Sequence, residues 1–193
     1  MELSNELLDF IDDKEAPIEI LKWFIDSYVK IDFKNESNNY IIKNNVPYIS
    51  IARIGFGIQL FHEIGHFVLA PMHRLHIDNY GYKIPKSKHQ NKLPKKWADL
   101  DIEIQVTAIE LNLTEIFYED QKIRRYAAQW SYLLGWKNYC NTHNVSHQQM
   151  VKKVEQRIKY WKSIYDYNWI EKEWRQRNNI LKMRMHKNGT IAI

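Results

Sequence analysis

Cysteine is nearly missing from this chain, with Cys140 the only one in 193 residues. A single thiol cannot close an internal disulfide, and no Cys-x-x-Cys pair exists to hold a structural metal, so a reducing cytosolic setting is expected. Long apolar runs are missing too. No stretch approaches the roughly 18 apolar residues of a membrane span. The opening residues, MELSNELLDFIDDKEAP, are acidic and have neither a basic start nor an apolar stretch. These absences lead us to expect a soluble, unexported, cytoplasmic protein. There is also no internal repeat and no low-complexity tract.

What is present suits one domain over residues 1–193. The hydrophobic fraction of 45% is enough for a real core at this length. Seven Trp and twelve Tyr are many, but such rings serve cores, grooves and interfaces alike, so they do not choose between an enzyme and a binding module. Net charge is +5 and is unevenly spread. Residues 1–36 hold ten acids against four Lys, a balance of −6, while 151–187 hold eleven Lys and Arg against four acids, a balance of +7. Solvated helical faces account for such segregation most simply; a basic face for nucleic acid or an acidic partner is the sharper account.

Pro17 opens PIEILKWFIDSYV, where Ile18, Leu21, Ile25 and Tyr28 or Val29 follow helical spacing. YIIKNNVPYISI at 40–51 reads as two strands around Asn44–Asn45, with Pro47 marking an edge strand or a strand start. ARIGFGIQLFHEIGHFVLAP predicts a buried helix stopped by Pro71. Residues 71–96, rich in Pro, His and Lys, have no period and are expected to form a long loop rimming a cleft. WADLDIEIQVTAIELNLTEIFY alternates at first like a strand, yet as a helix it aligns Leu100, Ile104, Thr107/Ala108 and Leu111, with Glu103 beside that stripe. DQKIRRYAAQWSYLLGWKNYC reads as a further helix. Ser146 and Gln149 fit a capping box that starts a basic helix over 146–185, with Val151, Val154, Ile158, Trp161 and Tyr165 inward. KNGTIAI is expected to fray or to form a small edge strand. The whole is α+β: mostly helical, with a small sheet and a long C-terminal helix.

The chemistry concentrates in FHEIGHF at 61–67. On a helix, histidines four apart share a face, so His62 and His66 can reach one ion while Glu63 flanks it without binding. A catalytic zinc takes three protein ligands and leaves one position for water, and the flanking glutamate then moves the proton. The plain alternative is a pair of packed or solvated histidines on an ordinary helix. Against it stand the apolar character of the segment, Gly65 allowing close packing behind the pair, and Pro71 ending the helix just beyond. The extended pattern His-Glu-x-x-His-x-x-Gly-x-x-His is excluded, because Leu69 and Met72 stand where its Gly and His would be. For the third ligand, loop donors His73, His76 and Asp78 compete with the glutamates of the next helix. Glu103, 37 positions after His66, is preferred, with Glu110 and His73 as its competitors.

FHEIGHF followed by DIEIQVTAIEL resembles the two ligand helices of the ImmA/IrrE-type and ArdC-type (antirestriction) zincin-like metallopeptidases, and YAAQWSYLLGWKN is similar to a further helix of the ArdC type. The resemblance covers roughly residues 40–165. It implies a zincin-like fold, zinc held by His62, His66 and Glu103, Glu63 as general base, and hydrolysis of a peptide bond in a protein substrate, in a setting such as a phage or mobile element. It departs from the pattern at Thr107, where a small residue or asparagine is usual, and the 71–96 loop is longer. Antirestriction members also carry an N-terminal domain for single-stranded DNA, for which the roughly 35 residues before the expected first strand are too few. The reading in another class is a nucleic-acid- or protein-binding module on the same scaffold, with Trp161, Trp169, Trp174 and Arg175 interleaved on the basic helix. In a third class the metal only stabilises the fold.

Overall fold

The computed structural model describes residues 17–32, 39–51, 56–81, 97–118 and 146–189. The helix expected over 120–140 and most of the 71–96 loop lie outside them. Among the described residues the fold is α+β and mostly helical: α1 (Ile18–Ile25), β1 (Lys30–Asp32), β2 (Asn39–Lys43), β3 (Val46–Ser50), α2 (Phe56–Leu69), α3 (Trp97–Phe117), α4 (His147–Ile164) and α5 (Tyr167–Gly189). Short turns at Met72–Arg74 and Asp78–Gly81 follow α2. No helix among the described residues is long and apolar enough to cross a membrane. The chain forms two compact units, one of residues 1–83 with 171–193 and one of 84–170.

In the first unit the sheet order is β1-β3-β2, with β2 antiparallel and β1 parallel to β3. The hairpin turns on Asn44 and Asn45, whose φ of 51° and 62° place both in the left-handed region that a two-residue hairpin loop needs and that asparagine tolerates. β3 is the central strand, so Pro47 does not mark an edge. It stands one residue into the strand, opposite Ile42, and parallel pairing with β1 begins only at Tyr48, so its missing N–H removes no bond from that ladder. The outer edge of β2 is covered by the Asp78–Gly81 turn: Asn79 Oδ1 accepts from the Tyr40 N–H at 3.2 Å and Asp78 Oδ1 from the Ile42 N–H at 2.7 Å. The ring of Tyr40 stacks on that of Tyr80 at 4.4 Å, and burial holds the Tyr40 hydroxyl well above the usual phenol range.

α1 is shorter than its sequence pattern suggests, ending at Ile25, and it buries Ile20, Leu21 and Phe24. Ile18 is exposed. Pro17 is the residue before the helix, and Val29, read from sequence as its last turn, donates its N–H to Asn178 Oδ1 at 2.9 Å as the chain enters β1, a strand the pattern did not indicate. Trp174 of α5 fills the centre of this unit, 2% exposed, with its ring 4.7 Å from Phe24 and 4.9 Å from Phe67 and its indole N–H donated to Ser27 Oγ at 2.9 Å.

The second unit pairs α3 with α4. The alternation in DLDIEIQV belongs to a helix of 21 residues, longer than any strand would run. Asn112 of α3 donates from its amide to the carbonyls of Lys162 (2.9 Å) and Tyr165 (2.8 Å), the end of α4. That end is the main departure from the sequence pattern, because the basic stretch from 146 is not one helix. It breaks at Tyr165–Asp166, where Asp166 Oδ1 caps the N–H of Trp169 at 2.8 Å and opens α5, which runs on through Lys187 and Asn188 to Gly189. Ser146 precedes α4 but makes no side-chain cap. Val154, Ile158 and Tyr165 are buried as expected, while Trp161 and Trp169 are half-buried on either face of the break, their rings 5.2 and 4.5 Å from that of Tyr165. Burial, with Asp101 and Tyr160 nearby, pushes the Tyr165 hydroxyl up to about 12.

Candidate metal centre

α2 carries the chemistry-bearing residues on an otherwise apolar helix. Leu60, Phe61, Ile64, Phe67 and Val68 are each 0% exposed. At roughly 1.5–3 kcal/mol per side chain, their burial far outweighs the roughly 1 kcal/mol that Gly65 costs relative to alanine inside a helix. Gly65 is buried among them, and the helix ends at Leu69, with the Ala70 N–H still donating to the His66 carbonyl at 2.9 Å.

On this frame His62 and His66 are half-buried and converge. Their Nε2 atoms lie 3.1 Å apart, with ring centroids 4.8 Å apart and planes at 76°. One ligand atom from each of His62, His66 and Glu103, the last half-buried on α3, lies within 4.8 Å of the others. Among the described residues this is the group that could hold a metal ion. His73, His76, Asp78 and Glu110 do not belong to it. Glu110 is instead buried at 2% exposure, and His73 and His76 are exposed in the turns after α2.

The donor set fits a small divalent cation. Two nitrogens each about 2.0–2.1 Å from one zinc at a tetrahedral angle stand about 3.3–3.4 Å apart, close to the observed 3.1 Å. Among the described residues the group offers two imidazoles and one carboxylate, and a catalytic zinc takes three protein ligands of these kinds. Glu63 follows His62 directly, is 7% exposed and stays outside the ligand group.

Sequence reading passed over the residues that hold the far end of α2. Arg177 of α5, 7% exposed, donates from Nη2 to the Ala70 carbonyl at 3.3 Å and pairs through Nη1 with Glu173. Arg184 donates from Nη1 to the Met72 carbonyl at 2.9 Å. The signal available was the spacing of Trp174, Arg177, Leu181 and Arg184, one face of a helix mixing apolar with basic residues. Trp174, offered above as a base-stacking residue, is in the core and cannot stack on a ligand.

Comparison with family models, with curated proteins and with solved structures gives no match. The chemistry of the donor set is therefore the ground for a functional reading.

Proposed function

We propose that the chain is a zinc-dependent metallopeptidase with a zincin-like fold, hydrolysing a peptide bond in a protein substrate in the cytoplasm. The observation that carries this reading is the approach of His62, His66 and Glu103 to one another, with the buried carboxylate of Glu63 one residue along. The three side chains would hold the ion as ligands. Zinc in such a set supplies Lewis-acid polarisation of a carbonyl and shifts the ionisation of water toward neutral pH. Glu63 is the general base that takes the proton of the attacking water and returns it to the nitrogen of the leaving amine. The apolar packing behind the histidines keeps water from the rear of the helix, so the imidazoles present one face only.

The test is Glu63→Gln, which keeps shape and removes the proton acceptor. The purified variant should bind zinc as the wild type does, while cleavage of a proteome-derived peptide library, read by mass spectrometry, falls about 10²–10⁴-fold. Zinc-loaded wild-type protein that releases no product, or cleavage untouched by Glu63→Gln, would overturn the peptidase reading. A second reading, a nucleic-acid-binding module, has one observation in its favour: α4 turns Lys152, Lys153, Lys159 and Tyr160, the last 59% exposed, to solvent. It predicts salt-dependent DNA affinity that is lost with those lysines.

A further inference from the structure

The metal-bearing helix needs its last turn fixed, because His66 is three residues from its end and helix ends fray. What lies against that end is a set of side chains from α5. Trp174 packs its ring edge on Phe67, the neighbour of His66, at 4.9 Å. One turn on, Arg177 donates to the carbonyl of Ala70, whose own N–H closes on the His66 carbonyl. Arg184 then holds the Met72 carbonyl beyond it.

Arg177 is unusual for a packing residue. A guanidinium withdrawn from water is costly, and burial lowers its pKa to about 10. Its Nε has no hydrogen-bond partner, and its remaining bonds are the pair with Glu173 and the single carbonyl of Ala70. An apolar side chain of similar length would pack there without that desolvation. What the arginine adds is a rigid fork, held on one side by Glu173, that specifies where the Ala70 carbonyl sits. A positive group there also complements the negative end of the α2 dipole.

We propose that Arg177, held by Glu173, is a positioning residue for the metal centre: it fixes the last turn of α2 so that the two imidazole nitrogens keep the separation one ion requires. This rests on the zinc reading above. Groups hydrogen-bonded directly to a ligand typically change metal affinity by 10–100-fold when removed, and Arg177, one step further out, is expected at the lower end of that range; geometric tolerance at such centres is about 0.5 Å.

The experiment is competition titration of zinc against a chromophoric chelator, with thermal unfolding of the metal-free proteins in parallel. Arg177→Met should raise the zinc dissociation constant about 10-fold. Arg177→Lys, which keeps charge but not the fork, should raise it less. Leu181→Val, a core change on α5 that leaves Arg177 and its bond to the Ala70 carbonyl in place, should lower the unfolding temperature and leave zinc affinity within about twofold, because the group that fixes the α2 terminus is retained. Unaltered affinity in both Arg177 variants overturns the proposal, as does an equal loss of affinity in Leu181→Val, which would make the effect one of stability alone. A wild type that takes no zinc overturns this proposal and the zinc reading together, whereas a wild type that binds zinc with Arg177 immaterial overturns only this one.

Discussion

α2 and the second half of α5 belong to the same compact unit and use opposite compositions. α2 is apolar, and apart from Gln59 its few polar side chains are the ones with chemistry to offer. α5 is heavily charged, yet it buries Trp174, Arg177, Asn178 and Leu181. The difference teaches that composition sets which groups are costly to bury, not which are buried. In α2 the apolar residues enter the core by transfer from water. In α5 the polar ones enter because each finds a partner: Trp174 at Ser27, Asn178 between the Val29 N–H and the Trp174 carbonyl, Arg177 at Glu173 and Ala70.

Breaking that arrangement should hurt in a definite order. Trp174→Ala removes the ring that joins α1, α2 and α5, and should cost about 3–5 kcal/mol in urea denaturation. A loss under about 1 kcal/mol would mean the ring is not core. Asn178→Ala leaves the Val29 N–H buried without an acceptor, for an expected cost of about 1–3 kcal/mol, and replacement by Asp, which keeps an acceptor oxygen, should recover part of it. Arg175→Ala sharpens the contrast from the exposed face of the same helix. Its pair with Glu171, at 2.6 Å, is an exposed i,i+4 contact, so the change should be below about 0.5 kcal/mol and should vanish in high salt.

The same contrast explains what the sequence could reveal. Helix α2, the hairpin at Asn44–Asn45 and α3 were legible because local rules specify them: i,i+4 spacing, turn-tolerant asparagines and a periodic run too long for a strand. The His62 and His66 pair was legible for the same reason. Glu103 was legible only as a position beside an apolar stripe, 37 positions after His66, and no local rule encodes its place in the group with the histidines. β1 escaped notice because three residues carry too little pattern, and it forms only by pairing with β3. The break at Asp166 was hidden because the inward spacing through Tyr165 continues smoothly to Trp169, and only the cap geometry shows that a new helix starts there. Arg177 was masked by its own chemistry, since a lysine- and arginine-rich helix reads as solvated, and its burial follows from partners at Glu173 and Ala70.

Zinc binding in three proteins tests the central claim most directly: wild type, His62→Ala and Glu103→Ala, each titrated after complete removal of metal. Wild type should take one equivalent tightly, His62→Ala should lose it, and Glu103→Ala should bind at least tenfold more weakly. A wild type that binds no zinc, or a Glu103→Ala variant that binds it as tightly as wild type, would contradict the account.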